Sequence, residues 1–547
     1  MTPVAMAAHP TRRLALTLSG AASLGSFEAG VLTEILYALD YWWKHGGPRY
    51  QVDVLTGASA GAMTSGLVAR ALYNYPERQN LYRAWVEDID ITLLVKDAPV
   101  DAILGKGVIE EIASRYLGPP SSSGKPSPMA PATLRMYFAL SNMYGMPYAL
   151  KFKSGGKDAQ FETEFFSDGE PSTITDHTDA AAWDSIRQSA IASGNFPIAF
   201  APAYLARDPK RFPGHLWEPF PSRFPYIDGG LFNNEPIKVM VDLALDADGG
   251  DLGDTRKFLL IDANLNKVKR WERPDSPREA TVVLGDLLRL LGMLRGEASA
   301  LDWLQAQRRN NEIAWRDMLL DQLVTMVKEN TLQDPQTFVK QLRAVASAIV
   351  NQKRQLFPDR YPPDYLDKAL KRTGEAHQEA LAEVGGPVRQ EIYTLIVFLI
   401  NSIAGLDKKA QLDIDVIYAP REEMAGRLLG SFGGFFSRPW RDHDYKLGRV
   451  HTHEILPDIL AGPPYPREPD AETPTGFPEY DPAPIDAKKA SMKDTDPGSR
   501  KAFREAVIAK VMPIVKTVPL GVWPLSSVAN SVIESKLRKW LDQKLEL

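Results

Sequence analysis

The chain has 547 residues, of which 44% are hydrophobic and 24% are charged, a composition typical of a folded globular protein. Its formal net charge of -5 gives no overall positive field, so we expect no nucleic-acid partner. The chain contains no cysteine, which excludes disulfides, thiolate metal sites and cysteine nucleophiles.

Strands and helices are predicted to alternate along the first part of the chain. Short β-rich runs are followed by small-residue turns and then by segments with helical spacing of apolar residues. This order predicts a mainly parallel sheet with helices on both faces. The predicted strands cover residues 14–18, 52–55, 135–141, 258–261 and 412–418, and the first two predicted helices cover residues 27–43 and 60–72.

The later part of the chain is predicted to be mainly helical. Helical patterns fill residues 278–406, which we interpret as an insertion, and the apolar run 392–403 is shorter than the ~20 residues of a membrane-spanning helix. Residues 462–497 are rich in proline and acidic residues, as in an extended linker. Residues 499–547 have helical spacing again, and we expect Pro513 and two later prolines to break it.

A Gly-x-Ser-x-Gly turn lies between the second predicted strand and the second predicted helix, at residues 57–61. Such a turn holds the serine in a strained conformation, with its hydroxyl above the sheet edge at a helix N-terminus. The pattern also occurs by chance as a tight packing turn. The strand and helix are predicted independently of the motif, so the context favours Ser59 as a nucleophile.

A serine nucleophile needs hydrogen-bond donors for the oxyanion of its tetrahedral intermediate. The small-residue loop at residues 18–25 can supply backbone N–H groups, and it opens a helix whose dipole favours an anion. Its Gly20-x-Ala22-x-x-Gly25 spacing is also similar to a dinucleotide-binding loop. That motif needs an acidic residue at the end of the second strand, where this chain has the Ser59 turn, so we expect no cofactor.

Asp228 follows an apolar pair and precedes Gly229 and Gly230. Many Asp-Gly pairs are only turns, but here two glycines let the backbone bend closely around the carboxylate. From the residues alone, the base that activates Ser59 could be this carboxylate or a histidine.

These three motifs, in this order, resemble those of the patatin-like phospholipase family. Residues 19–25 match the oxyanion loop of the family, residues 57–61 its nucleophile elbow and residues 228–230 its catalytic aspartate motif. Residues 192–202 resemble the segment before that aspartate, and the resemblance covers residues 14 to about 265. It implies a three-layer α/β/α hydrolase core with a mainly parallel sheet.

By resemblance, the family hydrolyses lipid acyl esters with a Ser-Asp dyad and needs neither a triad histidine nor calcium. The residues implied are Ser59 as nucleophile, Asp228 as base, and Gly20, Ala21 and Ala22 as oxyanion donors. We divide the chain into a catalytic core at 1–275, a helical insertion at 276–408, a return strand with an aromatic loop at 409–460, a linker at 461–498 and an amphipathic C-terminal segment at 499–547.

The oxyanion loop departs from the family pattern. Alanines stand at positions 21 and 22, where the family usually has glycines, and Leu24 stands in place of a basic residue. An alanine that needs a positive φ would be strained by about 1 kcal/mol or more. The missing cation removes one phosphate contact, so the sequence supports hydrolysis of acyl esters in general better than a phospholipid substrate.

Two alternatives follow from these features. The altered loop is compatible with a non-catalytic lipid-binding or scaffold protein that retains the patatin fold. A Ser-His-Asp esterase of the α/β-hydrolase type would instead need a late histidine, although Ser59 lies earlier in the chain than the usual elbow of that fold. The candidate histidines are His377, His443, His451 and His453. We interpret His451 and His453, which lie two positions apart, as surface residues rather than metal ligands.

Two segments outside the core could contact lipid. Residues 428–440 carry several aromatics on a glycine-rich stretch, and residues 499–547 combine apolar and basic residues. For both we favour packing on the body of the protein over insertion into lipid. The partners expected are a lipid or other acyl-ester substrate and, peripherally, a membrane surface, and we expect a cytoplasmic protein because residues 1–10 lack a signal-peptide pattern.

Overall fold

The computed structural model describes residues 10–100, 102–120, 125–154, 157–249, 256–265, 335–356, 363–403, 414–467, 485–517 and 527–547. The chain divides into two compact units. The first comprises Met1–Ala244, Thr255–Asp302 and Asp413–Leu547, and the second comprises Leu245–Asp254 and Trp303–Leu412.

The first unit is built around an eight-stranded, mostly parallel sheet in the order β5-β6-β3-β2-β1-β7-β8, with β4 paired to β3. β1 lies at the centre between β2 and β7, and its apolar residues are buried, as expected for a parallel strand covered on both faces. The strands are β1 Thr11–Leu18, β2 Arg49–Gly57, β3 Leu134–Ser154, β4 Lys157–Ile174, β5 Ala203–Ala206, β6 Arg223–Asp228, β7 Arg256–Ile261 and β8 Ile414–Ile417.

Helices flank this sheet, so the predicted three-layer α/β/α fold is confirmed. The first long helix ends at His45, and Gly46 after it has a φ of 77°, a conformation that glycine adopts readily. Within the described residues, the α-helices of five or more residues are α1 Gly25–His45, α2 Ala60–Tyr73, α3 Ile91–Val95, α4 Gly107–Tyr116, α5 Ala180–Ser193, α6 Ile237–Ala247, α7 Pro335–Leu356, α8 Tyr365–Ala376, α9 Gln378–Val384, α10 Pro387–Ile403, α11 Arg438–Leu460, α12 Pro497–Thr517 and α13 Ser527–Leu545.

The predicted parallel strands are all present within the described residues, but β4, β5 and β6 were not predicted. These three strands pair antiparallel with their neighbours. β5 has only 4 residues, and β6 has only 6, one of which is Pro225. Strands as short as these two show no clear periodicity of apolar residues. Their position therefore depends on tertiary contacts.

One strand, β3, brings the ends of two distant strands together. β4 pairs with one edge of β3 over residues 134–141, so β2 and β6 must share the other edge. Along that edge, Gly57 of β2 lies opposite Phe138, and Asp228 of β6 lies opposite Leu140. The carboxyl ends of β2 and β6 are consequently neighbours.

The β3–β4 hairpin continues past the carboxyl end of β2. Several large apolar side chains on it are exposed, among them Tyr144 at 47%, Phe161 at 51% and Phe165 at 48%. Phe166, also on the hairpin, stacks on Phe232 with the ring centroids 6.3 Å apart. Because Phe232 follows the Asp228 turn, this exposed aromatic surface reaches the carboxyl edge of the sheet.

The C-terminal segment of the first unit packs on its core. Phe503 of α12 packs edge-on against Phe436, with the ring centroids 5.4 Å apart, and Val507 is buried in the main hydrophobic cluster. Helix α12 continues through Pro513, so the predicted break there is wrong. Helix α12 packs against α13 and α3, and this packing outweighs the loss of one helical hydrogen bond at Pro513. The two later prolines lie outside the described residues.

The second unit contains α7 to α10. Ile392, Val397 and Phe398 of α10 are buried in its small hydrophobic clusters, so the apolar run at 392–403 forms a packed helix, as predicted. Within the described parts of the chain, the longest apolar helices fall short of what crossing a membrane requires.

Candidate active site

Ser59 occupies a strained turn between β2 and α2. Its φ is 53° and its ψ is -121°, a conformation that costs a non-glycine residue about 1–3 kcal/mol. The flanking glycines are required by close packing: a Cβ at Gly57 would lie 2.5 Å from the backbone of Gly61, and one at Gly61 would lie 2.6 Å from the carbonyl oxygen of Leu18. The small residues of the motif therefore allow strand and helix to meet at the serine.

Asp228 lies at the end of β6, directly beside this turn. The Oγ of Ser59 donates a 2.7 Å hydrogen bond to Oδ2 of Asp228, and the Gly230 amide donates to Oδ1 at 2.7 Å. A Cβ at Gly229 would lie 1.9 Å from the carbonyl oxygen of Ala139, so the chain can turn here only with glycine. The structure thus brings together the two residues that the sequence motifs single out.

A third buried side chain, Ser193 at the end of α5, holds the Ser59 turn in place. Its Oγ accepts a 2.9 Å hydrogen bond from the Ser59 amide and donates one of 2.7 Å to the carbonyl oxygen of Ala139. Ser193 lies in the segment 192–202 that resembles the family, but no sequence pattern indicated a role for this serine. Its bridging position depends on the contact between α5 and β3.

The loop between β1 and α1 contains the predicted oxyanion donors. The Gly20 amide already donates to the carbonyl oxygen of Asn234 at 3.2 Å, so Gly20 is the least suited of the three predicted donors. Within the described structure, the amides of Ala21 and Ala22 have no acceptor, and neither does that of Ala60, the residue after Ser59.

Ala22 has a φ of 50° and lies beside Ser59 in the wall of the same cavity. This positive φ favours glycine, so the alanine is strained here. The sequence predicts such strain for an alanine that needs a positive φ in this loop. An observed positive φ at a non-glycine residue is typical of a position that tertiary contacts hold fixed.

A cavity with about 770 Å³ of empty space, including its open end, leads to Ser59 and Asp228. Apart from these two residues, its lining is apolar or glycine, and no cationic side chain belongs to it within the described residues. The lining includes Ala22, Met63, Trp85, Ile89, Leu94, Ile112, Ile191, Phe196, Phe200, Phe432 and Phe435.

The glycine-rich aromatic stretch at 428–440 packs against the core and this cavity. Phe435, Phe436 and Trp440 are buried, and Phe432 contacts Phe196 edge-on, with the ring centroids 5.8 Å apart. These aromatics therefore form part of the cavity wall and the core, as favoured from the sequence.

None of the histidines that the structure describes lines the cavity. His443 contacts the carbonyl oxygen of Glu423, and His451 lies 3.2 Å from the carboxylate of the same glutamate. His453 lies 3.1 Å from the buried carboxylate of Glu34. Each of these three candidates has a partner away from Ser59, and the described residues contain no group of three or more side chains suited to hold a metal ion.

Two comparisons with known proteins bear on this site. The model of the patatin-like phospholipase family matches residues 16–241, a segment that contains Ser59 and Asp228. The uncharacterized protein y4iI of Sinorhizobium fredii (strain NBRC 101917 / NGR234) is 24% identical over 537 residues. That alignment covers 82% of this chain and 64% of the relative, so the chain spans about 64% of the relative's length.

Proposed function

Residues 16–241 are a domain of the patatin-like phospholipase family, and on this premise we propose that the protein is a serine hydrolase of lipid acyl esters that acts through Ser59 and Asp228. The observation that carries the proposal is the 2.7 Å hydrogen bond from Ser59 Oγ to Asp228 Oδ2 at the base of an apolar cavity. The family supports lipid acyl hydrolysis in general, and the dyad is our specific inference.

In the proposed mechanism, Asp228 accepts the Ser59 proton while Oγ attacks the ester carbonyl carbon. The negative charge that develops on the carbonyl oxygen is stabilised by the amides of Ala21, Ala22 and Ala60 and by the N-terminus of α2. When the tetrahedral intermediate collapses, the alcohol leaves with the proton from Asp228. Water then attacks the acyl-serine, Asp228 takes one of its protons and returns it to Ser59, and the fatty acid is released.

The cavity lining supports the substrate class that we propose. A wall of aliphatic and aromatic side chains favours an acyl chain, because burying apolar surface contributes about 25 cal/mol per Å². The described lining offers no cation to bind a phosphate, and Leu24, at the position of the family's basic residue, is fully buried. We therefore propose an ester substrate whose acyl chain binds in the apolar cavity and whose alcohol portion is not recognised through an ion pair.

Contact with a lipid surface belongs to the same proposal. The exposed aromatics lie on the part of the β3–β4 hairpin that extends past the edge of the sheet where Ser59 and Asp228 are found, and Phe166 of the hairpin stacks on Phe232. Aromatic side chains are favoured at the interface between lipid and water. We propose that this hairpin, rather than the buried stretch at 428–440, contacts the lipid. The cytoplasmic location stays a prediction.

A non-catalytic lipid-binding protein is the second candidate, and the strained alanine at position 22 favours it. A fluorophosphonate probe together with Ser59→Ala separates the two. For a hydrolase we expect the probe to label the wild type and not Ser59→Ala, and we expect only the wild type to cleave p-nitrophenyl esters. A folded wild-type protein that neither reacts nor turns over would support the lipid-binding alternative.

A further inference from the structure

The oxyanion loop is held by residues that lie far from it in the chain and beyond the segment that matches the family. Two short segments contact it: residues 262–264, which follow β7, and residues 431–434, in the aromatic stretch before α11. Both belong to the first unit.

Asn264 connects the loop to the end of β7. Its Nδ2 donates a 2.9 Å hydrogen bond to the carbonyl oxygen of Gly20, and its own amide donates to Oδ1 of Asp262 at 2.7 Å. The same Asp262 oxygen accepts a hydrogen bond from Oγ of Ser19 at 2.9 Å. Two successive loop residues, Ser19 and Gly20, are therefore held by hydrogen bonds to Asp262 and Asn264.

Ser431 connects the loop to the aromatic stretch. Its Oγ donates to Oδ1 of Asn264 at 3.1 Å, and its carbonyl oxygen accepts a hydrogen bond from Oγ of Ser23. The Gly434 amide donates to the same Ser23 oxygen at 3.0 Å. A Cβ at Gly434 would lie 2.7 Å from Ser23 Oγ, so this close approach needs glycine.

The segment that carries Ser431 has an unusual backbone. Leu429, Gly430 and Ser431 have φ values of 52°, 67° and 74°, so two non-glycine residues adopt left-handed conformations around a glycine. Such conformations persist where surrounding contacts fix them. Here the contacts are those of Ser431 with the loop and of Phe432 with the cavity, which means that this segment is fitted to the site.

We propose that Asn264 and Ser431 are positioning residues of the reaction. Through Gly20 and Ser23 they hold the loop in the shape that places the Ala21 and Ala22 amides beside the ester carbonyl. The inference rests on the proposed function, because an oxyanion forms at this loop only if the protein catalyses ester hydrolysis. The inference explains how a loop with alanines at positions 21 and 22 can bind an oxyanion. Hydrogen bonds from distant side chains hold the loop in a conformation that its own residues do not favour.

The test measures kcat and KM for p-nitrophenyl butyrate in the wild type, Ser59→Ala, Asn264→Ala and Ser431→Ala. A misplaced oxyanion donor weakens binding of the transition state, so we expect each positioning variant to lose about 10- to 100-fold in kcat with KM nearly unchanged. The Ki of n-octylboronic acid, which forms a tetrahedral adduct with a serine, should rise by a similar factor. Because the two residues bond each other, the effects in the double variant should be less than multiplicative.

Gln51→Ala is the matched control, since Gln51 Nε2 also donates from a side-chain amide to a backbone carbonyl, that of Ala130 at 3.3 Å, at the amino end of β2. We expect it to leave kcat and Ki unchanged. If Asn264→Ala and Ser431→Ala both fold and behave like Gln51→Ala while Ser59→Ala is inactive, the positioning role is wrong and the proposed function stands. If the wild type is no more active than Ser59→Ala, both proposals fail. Should one positioning variant not fold, the other decides the question.

Discussion

Ser59 and Asp228 are separated by 169 positions in the chain, yet the serine Oγ donates a 2.7 Å hydrogen bond to the aspartate Oδ2. Their contact arises because β2 and β6 end next to each other along one edge of β3. Both side chains are almost fully buried, at 6% and 3% exposure. A carboxylate that is shielded from water and bonded to a hydroxyl is suited to accept its proton.

The first prediction concerns the base. Asp228→Asn keeps the size of the side chain and removes its negative charge, so we expect kcat for ester hydrolysis to fall by about 10²–10⁴-fold. Circular dichroism and thermal melting would check that the variant is folded. The pH profile of the wild type should lack a rising limb near 6.5, the usual pKa of a free histidine.

Histidine variants provide the control for this prediction. Glutamine at His377, His443, His451 or His453 should leave kcat largely unchanged. If one of these substitutions abolished hydrolysis in a folded protein while Asp228→Asn remained active, a Ser-His mechanism would replace the dyad.

The second prediction concerns Ser193. Ser193→Ala leaves the Ser59 amide and the Ala139 carbonyl without their buried partner, which costs about 1–3 kcal/mol in the free energy of unfolding for each group. Because the amide belongs to the nucleophile turn, kcat should also fall, by about 10-fold or more. Urea unfolding and ester hydrolysis measure the two effects.

Ser127→Ala is a suitable comparison, since Ser127 is also buried and its Oγ accepts a hydrogen bond from the Met129 amide away from the cavity. It should lower stability and leave kcat unchanged. Equal kcat values for both serine variants would show that Ser193 has a structural role alone.

The third prediction concerns lipid contact. Replacing Phe161 and Phe165 by serine removes two exposed aromatic rings from the hairpin, so binding to phosphatidylcholine vesicles in a sedimentation assay should weaken severalfold. Hydrolysis of a water-soluble ester should be unchanged, because neither residue lines the cavity. The control is Val345→Ser, which removes a similarly exposed apolar side chain from the second unit. Vesicle binding that responds equally to both changes, or to neither, would contradict the role of the hairpin.

The fourth prediction concerns pH and stability. Asp444 is fully buried, and burial raises its pKa to about 6, although the amides of Gly426 and Ala425 donate to its carboxylate and oppose this shift. The pKa in the unfolded chain is ~3.9, so between about pH 4 and pH 6 the folded protein binds more protons than the unfolded chain. The free energy of unfolding should therefore fall as the pH rises through this window, by about 3 kcal/mol from this group.

Asp444→Asn cannot titrate, so its unfolding free energy should lack this contribution. Urea unfolding at pH 4, 5 and 6 gives the free energy of unfolding of the wild type and of the variant. The contribution of Asp444 is the part of the difference between these two free energies that changes with pH. A difference that stays constant with pH, or that grows in favour of the wild type as the pH rises, would contradict the raised pKa.

Local sequence determined the parallel strands, the first two helices and the nucleophile turn. Consecutive buried apolar residues predict β1 and β2, and the small residues around Ser59 predict a turn that only they can form. The sequence also predicted strain for an alanine that needs a positive φ in the oxyanion loop, and the structure shows that this alanine is Ala22. These features depend on residues close together in the chain, so the order of residues is sufficient to infer them.

Tertiary structure decided how distant groups meet, although the resemblance to the patatin-like family already implies that Ser59 and Asp228 act together. The contact between Ser59 and Asp228 requires two strands to share an edge of β3, and a single sequence does not specify that register. The bond that engages the Gly20 amide comes from Asn234, and the residues that brace the oxyanion loop, Asn264 and Ser431, come from segments hundreds of positions away. Hydrogen bonds and close packing act between neighbours in space, and the fold, rather than the spacing of residues along the chain, sets those neighbours.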